Sequence, residues 1–167
     1  VMDESMKQLI RQHKGDLLKI LKKYAGHILI APQSYNQQSL FFVYLMEPQS
    51  AAYNIALSMR LQSSVDPTTV QRALETIVER HEQLRTTYSL VELGSAVAHV
   101  QLVHERLSPH FEAVDSADWT EEELKKRVQD FYMAPFDLEK GPMVRAGFFR
   151  RGESEAILTV VFHHISM

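Results

Sequence analysis

At 167 residues the chain has room for one domain and a small appendage. Its 45% hydrophobic and 23% charged residues are those of a globular protein, and a net charge of -3 lacks the basic footprint of a nucleic-acid binder. The absence of cysteine excludes disulfides, zinc–thiolate sites and thiol nucleophiles and fits a reducing, cytoplasmic setting; no run approaches the roughly 18–20 apolar residues of a membrane span.

Positions 6–24 predict a helix. Met6, Leu9, Ile10, Leu17, Ile20, Leu21 and Tyr24 recur at helical spacing, and Lys7, Arg11, Lys14, Lys19, Lys22 and Lys23 take most of the remaining surface. Gly15-Asp16 interrupts it and can end one helix and start another. The arm reads either as a solvated surface helix or as a basic helix that meets another polypeptide. Positions 26–32 read as an apolar connector. The expected division is an arm or linker over 1–26 and a main domain over 27–167, and Val1 need not be a natural start.

A helix is predicted over 34–46, with Ser34 as N-cap and Glu47-Pro48 as its end. Leu40, Phe41, Val43, Tyr44 and Leu45 make it mostly apolar, so it is expected to be well buried. Positions 53–61 alternate as a half-buried strand does. Asp66-Pro67 opens a long helix, with Asp66 at the N-cap and Pro67 at the first helical position. Its core face holds Val70, Ala73, Leu74, Ile77, Val78 and His81, which makes His81 a satisfied core histidine. Strands follow at 86–91, 96–103 and 111–114. Thr120 caps a further helix with Glu123 as capping-box partner, beside Trp119 as a packing residue. Leu124, Val128, Phe131 and Tyr132 line its core side, and Pro135 ends it. Positions 143–150 and 156–163 form a hairpin joined by Arg151-Gly152-Glu153-Ser154. This order predicts an α/β fold, a two-layer sandwich of helices on a mixed β-sheet. No glycine-rich phosphate loop follows any strand.

His163-His164 closes an apolar run. Strand alternation, if it continues that far, sends the two imidazoles to opposite sides, so only one can face a given cleft. A metal site would want further ligands at close spacing, and His81, His99, His104 and His110 are scattered over other elements.

Four segments in order carry a resemblance. They are Ser34-Tyr35-Asn36-Gln37-Gln38-Ser39-Leu40-Phe41-Phe42 with Glu47-Pro48; Arg80-His81-Glu82-Gln83-Leu84-Arg85-Thr86; Phe136-Asp137-Leu138-Glu139-Lys140-Gly141-Pro142 with Arg145; and His163-His164. Together, over about residues 33–167, the chain resembles the condensation domains of nonribosomal peptide synthetases. The resemblance implies two lobes, each like chloramphenicol acetyltransferase, with the active site in a tunnel between them. This chain would be the N-terminal lobe, cut within the catalytic motif of His-His, three residues and Asp-Gly, so that the isolated lobe would be inactive and would expose an apolar face. The implied reaction is amide formation between thioesters tethered to upstream and downstream carrier domains. Phosphopantetheine belongs to those carriers, and the domain needs no cofactor of its own.

By the same resemblance His164 faces the tunnel, as general base or by positioning the amine and stabilising the tetrahedral intermediate. His163, Arg85 and Arg80 support the motif; Arg85 would pair with the motif's aspartate and fix the loop. Tyr35 and Gln37 either approach the tunnel, by the resemblance, or serve in packing. Asn36 and Ser39 stand where the family commonly has alanine and arginine, which resembles a subset from hybrid polyketide–peptide assembly lines. The arm over 6–24 resembles the tail of a docking domain. Epimerisation domains and other acyltransferases of the superfamily share the motif and remain alternatives, as does a non-catalytic recruitment lobe. Cyclisation domains use an aspartate-based motif instead.

Overall fold

The computed structural model of the chain describes residues 27–93 and 96–167, with isolated positions 8, 11, 14 and 15. The helix expected over 6–24 otherwise lies outside the described residues.

The apolar stretch expected to be a connector is strand β1 (His27–Pro32), paired antiparallel with β4 (Ala96–His104). Ile28, Leu29 and Ile30 suit a pleated surface, and the free edge of β4 offers their backbone a ladder. As an edge strand β1 leaves these side chains 37–52% exposed, which is why its composition alone reads as a linker.

Helix α1 (Tyr35–Met46) starts as predicted. The Ser34 hydroxyl accepts the Gln37 amide at 3.2 Å, and the Gln37 side chain accepts the Ser34 amide at 2.8 Å. Its burial differs from expectation. Phe41 alone is buried, whereas Tyr35, Phe42 and Met46 are 88%, 60% and 72% exposed. The helix carries apolar residues on more than one side but meets this core along one side only.

Strand β2 (Asn54–Leu61) forms as expected but is mostly exposed, because it is the edge of its sheet. Helix α2 (Pro67–Arg80) has the predicted cap, with the Asp66 carboxylate accepting the Thr68 amide at 3.1 Å. Leu74 and Val78 are its buried residues. His81, expected in the core, is exposed: the helix ends at Arg80, and His81 is its C-cap in an extended conformation, turned off the helical face.

A 3-10 turn (Glu82–Arg85) leads into β3 (Thr86–Leu93). After β4 come β5 (His110–Asp115), α3 (Glu121–Met133), β6 (Val144–Arg150) and β7 (Ala156–His163). Thr120 and Glu123 form the predicted capping box of α3. A second 3-10 turn (His164–Ser166) follows β7.

The strands form two sheets, ordered β1-β4-β3 and β2-β7-β6-β5. The second is mixed, since β5 runs parallel to β6 and the other pairs are antiparallel. It is covered on both faces. Leu74 and Val78 of α2 pack against Val144 and Ala146, with Leu158, Val160 and Phe162 beside them. The opposite face holds Phe149 and Val161 against Phe41, Leu124, Phe131, Phe136, Leu138 and Met143. Hence β6 is apolar almost throughout rather than alternating. Backbone bonds tie the segments around the two sheets: Tyr88 N–H of β3 to the Leu138 carbonyl at 2.8 Å, Met143 N–H just before β6 to the Leu84 carbonyl at 3.4 Å, and His163 N–H of β7 to the Met143 carbonyl at 3.1 Å.

The turn between α3 and β6 depends on Asp137 and Gly141. The Asp137 carboxylate accepts the Glu139 and Lys140 amides, each at 3.1 Å, and the Gly141 amide donates to the Asp137 carbonyl at 2.7 Å. Gly141 has φ +64, and a Cβ there would meet Leu107 at 2.9 Å and Thr87 at 3.1 Å. Gly141→Ala is therefore expected to cost roughly 1–3 kcal/mol of folding stability, seen as a lower melting temperature in calorimetry; an unchanged melting temperature would refute this account.

Candidate active site

Strand β7 stops at His163, and the chain tightens into the 3-10 turn at His164. The two imidazoles do point apart, but through this change of backbone rather than through continued alternation. His163 is 6% exposed and His164 is exposed.

His163 lies on the α3 side of the large sheet, where Phe136 meets it edge-on at 5.9 Å and Tyr53 at 6.4 Å between ring centres. Its Nδ1 accepts the Ile165 amide at 3.2 Å. Burial pushes the His163 pKa down to about 4, and the nearby His164 and Arg145 push the same way. The ring is neutral at physiological pH.

His164 is held by its backbone: its N–H donates to the Tyr53 carbonyl at 2.9 Å. Its side chain lines a recess of about 380 Å³. The first turns of α1 supply one wall through Ser34, Asn36, Gln37, Ser39 and Leu40; Tyr53, Ile165 and Met167 complete it. Hydroxyl and amide groups dominate the polar lining, and among these residues His164 alone carries a basic group. Ser39 donates to the Tyr35 carbonyl at 3.0 Å and brings no charge to the wall.

The other candidate residues are spread out. Gln37 lines the recess, and its Nε2 also donates to Gln101 at 3.4 Å. Tyr35 is exposed and is not part of the lining. Arg80 closes α2 and is exposed. Arg85 is 8% exposed, so it is no solvated helix-end arginine. It donates to the His104 carbonyl and, at 3.3 Å, to Glu82, while its buried Nε finds no partner among the described residues. It borders a separate recess with Glu75, Glu79 and Arg106.

Sequence reasoning gave Tyr53 and Arg145 no part in the site. Tyr53 is found through a backbone carbonyl, which leaves no mark in sequence. Arg145 could be found as a cation flanked by the apolar residues of β6. It is 8% exposed, and its guanidinium stands 4.0 Å over the Phe136 ring that packs on His163. A recess of about 400 Å³ borders Arg145 on the α3 side, but its other arginine, Arg127, is paired with Glu112 at 2.6 and 2.8 Å. No helix among the described residues is long and apolar enough to cross a membrane.

Comparison with known proteins gives this geometry a family. The family profile described as "Condensation domain" matches residues 29–167. The chain is 36% identical over 138 residues to one polypeptide of the linear gramicidin synthase of Brevibacillus parabrevis, covering 80% of this chain and 2% of that protein. It is 31% identical over 161 residues to chondramide synthase cmdD of Chondromyces crocatus, covering 94% of this chain and 4% of that one. The chain thus spans only a few hundredths of these relatives. Among solved structures, a four-domain nonribosomal peptide synthetase bound to AMP and glycine superposes with a TM-score of 0.75 at 21% identity, over 84% of this chain and 10% of that chain. The starter condensation domain of rhizomide synthetase RzmA gives 0.72 at 16% identity, over 82% and 33%. At such identities these two speak for the fold alone, but the profile spans most of the chain, and the protein belongs to the condensation-domain family.

Proposed function

We propose that this chain is the N-terminal lobe of a condensation domain in a nonribosomal peptide or hybrid polyketide–peptide synthetase, and that it helps form an amide between two carrier-tethered substrates. The observation that carries this is the exposed imidazole of His164 in a recess with no other basic group, beside a buried, neutral twin. In the reaction the acceptor amine attacks the donor thioester carbonyl. A C–N bond forms, the C–S bond breaks, and the amine proton passes to the departing thiolate. His164 accepts that proton, or holds the amine and steadies the tetrahedral intermediate by hydrogen bonding.

The neutral lining suits two chains that arrive as uncharged thioester and amine. Phosphopantetheine arms on an upstream and a downstream carrier domain would bring them, in the cytoplasm. The exposed apolar residues of α1 support a second lobe closing over the recess. The segment 1–26 would serve as a linker or docking arm in front of the lobe over 27–167. Arg85, whose buried Nε has no partner among the described residues, would hold the aspartate of the catalytic motif.

Two outcomes test this in the complete synthetase. His164→Ala is expected to lower the condensation rate by about 10²-fold or more, read by mass spectrometry of carrier-bound species, with the melting temperature unchanged; condensation at the unmodified rate would end the proposal. Arg85→Ala is expected to reduce soluble yield and thermal stability more than substrate affinity, by roughly 1–3 kcal/mol. Normal stability with a selective loss of substrate binding would contradict the structural role given to Arg85.

A further inference from the structure

We propose that His163 is a positioning residue: its Nδ1, as an acceptor, caps the 3-10 turn that starts at His164 and thereby sets the direction in which the His164 imidazole leaves the backbone. The inference rests on the role given above to His164.

The first amides of any helical turn lack internal partners. Serine, threonine, aspartate or asparagine commonly supplies the missing acceptor. Here the residue in that place is His163, extended at φ -87 and ψ 134, and its ring nitrogen takes the Ile165 amide at 3.2 Å. Further polar groups of the turn are tied as well. The His164 amide donates to Tyr53, the Ser166 hydroxyl donates to the His163 carbonyl at 2.9 Å, and the Tyr88 hydroxyl donates to the Ile165 carbonyl at 3.1 Å. With the backbone fixed on both sides of residue 164, its Cα–Cβ bond has a set direction, and the side chain lines the recess.

The cap requires a ring that is unprotonated at Nδ1, because a charged imidazole donates from both nitrogens and would face the Ile165 amide donor to donor. The surroundings enforce this. Phe136 and Tyr53 crowd the ring, Arg145 of β6 places a positive charge behind Phe136, and His164 is the titratable neighbour on the turn itself. An aromatic hydrocarbon would fill the same space without the desolvation cost of an imidazole. What the imidazole adds is the acceptor.

The test separates acceptor from bulk. His163→Asn keeps an acceptor near the Nδ1 position and loses the ring; His163→Phe keeps the ring and loses the acceptor. In the complete synthetase with loaded carrier domains, His163→Asn should keep kcat within about threefold. His163→Phe should still fold but melt lower, because the buried Ile165 amide loses its acceptor, and should lose about tenfold or more in kcat with KM nearly constant. Any result in which His163→Asn is no faster than His163→Phe overturns the proposal. If neither variant folds, nitrogen NMR of histidine-labelled, unmodified protein decides. An Nδ1 that remains an unprotonated acceptor down to about pH 5 supports the cap, and a protonated Nδ1 overturns it. The same ring should make stability sensitive to acid. Its pKa is lower folded than unfolded, so the unfolded chain takes up the proton first, and stability falls as pH drops from 6.5 toward about 4. His163→Asn should remove that part of the loss. Unmodified condensation by His164→Ala would sink the acyl-transfer reading while leaving the cap standing on the NMR result.

Discussion

One buried cation holds the molecule's most demanding junction together. The last turn of α3 leaves carbonyls without helical partners and contains no basic residue of its own. Arg145, two positions into β6, reaches under it and donates to the carbonyls of Phe131, Ala134 and Pro135. Asn54, at the start of β2, takes Tyr132 and Ala134 at 2.7 and 2.8 Å. Burying a guanidinium is costly. Charge-assisted bonds to carbonyls and the faces of Phe136 and Phe131, at 4.0 and 5.7 Å, offset that cost. Burial lowers the Arg145 pKa only to about 10, so the group stays charged at neutral pH. Helix α3, edge strand β2 and central strand β6 therefore meet at one positive charge, and Phe136 is seated by it. His163 packs on Phe136, so the surroundings of the histidine pair follow from this junction.

The recess assembles segments far apart in the chain. Residues 34–40 are held by Phe41, which is fully buried and stacks with Tyr44 at 5.6 Å. Tyr53 is placed by the first residue of β2, Asn54, through the α3 carbonyls. Residues 164–167 hang from the end of β7, and β7 is clamped between β2 and β6. None of these supports is local. A change at the end of α3 is felt at Tyr53 through Asn54 and at His163 through Phe136, although neither touches the recess from α3 itself.

What was legible in the sequence was local chemistry. Ser34, Asp66 and Thr120 each announced a helix start, because a capping side chain acts on amides two or three residues away. The turn at 151–154 and the apolar runs on either side announced the hairpin. The His-His pair could be found, and strand alternation anticipated that its rings would part. What was not legible depended on partners distant in sequence. β1 is a strand only because β4 has a free edge. The apolar residues Ile55, Leu57 and Met59 of β2 stay 38–58% exposed because α2 covers the middle of the sheet and not its margin. His81 sits on the helical wheel with the core residues, but the helix ends one residue before it. Arg145 reads as an intruder in an apolar strand until the unpaired carbonyls of α3 are seen above it.

The two histidines show why adjacency in sequence can be useful. A proposed acyl-transfer imidazole must be reachable by substrate yet fixed in direction, and an exposed side chain at the end of a strand is usually free to choose among rotamers. Immobilising it with direct contacts would occupy the nitrogens that the reaction needs. Fixing the backbone instead leaves both nitrogens of His164 without a hydrogen-bond partner among the described residues, and the fixing groups are amides, carbonyls and a neighbouring ring. That arrangement needs a partner residue which is buried, neutral and able to accept one hydrogen bond. A second imidazole in a dry pocket next to Arg145 meets all three requirements, so one residue type serves as both the held group and the holder, and the difference between them is made entirely by what surrounds each ring.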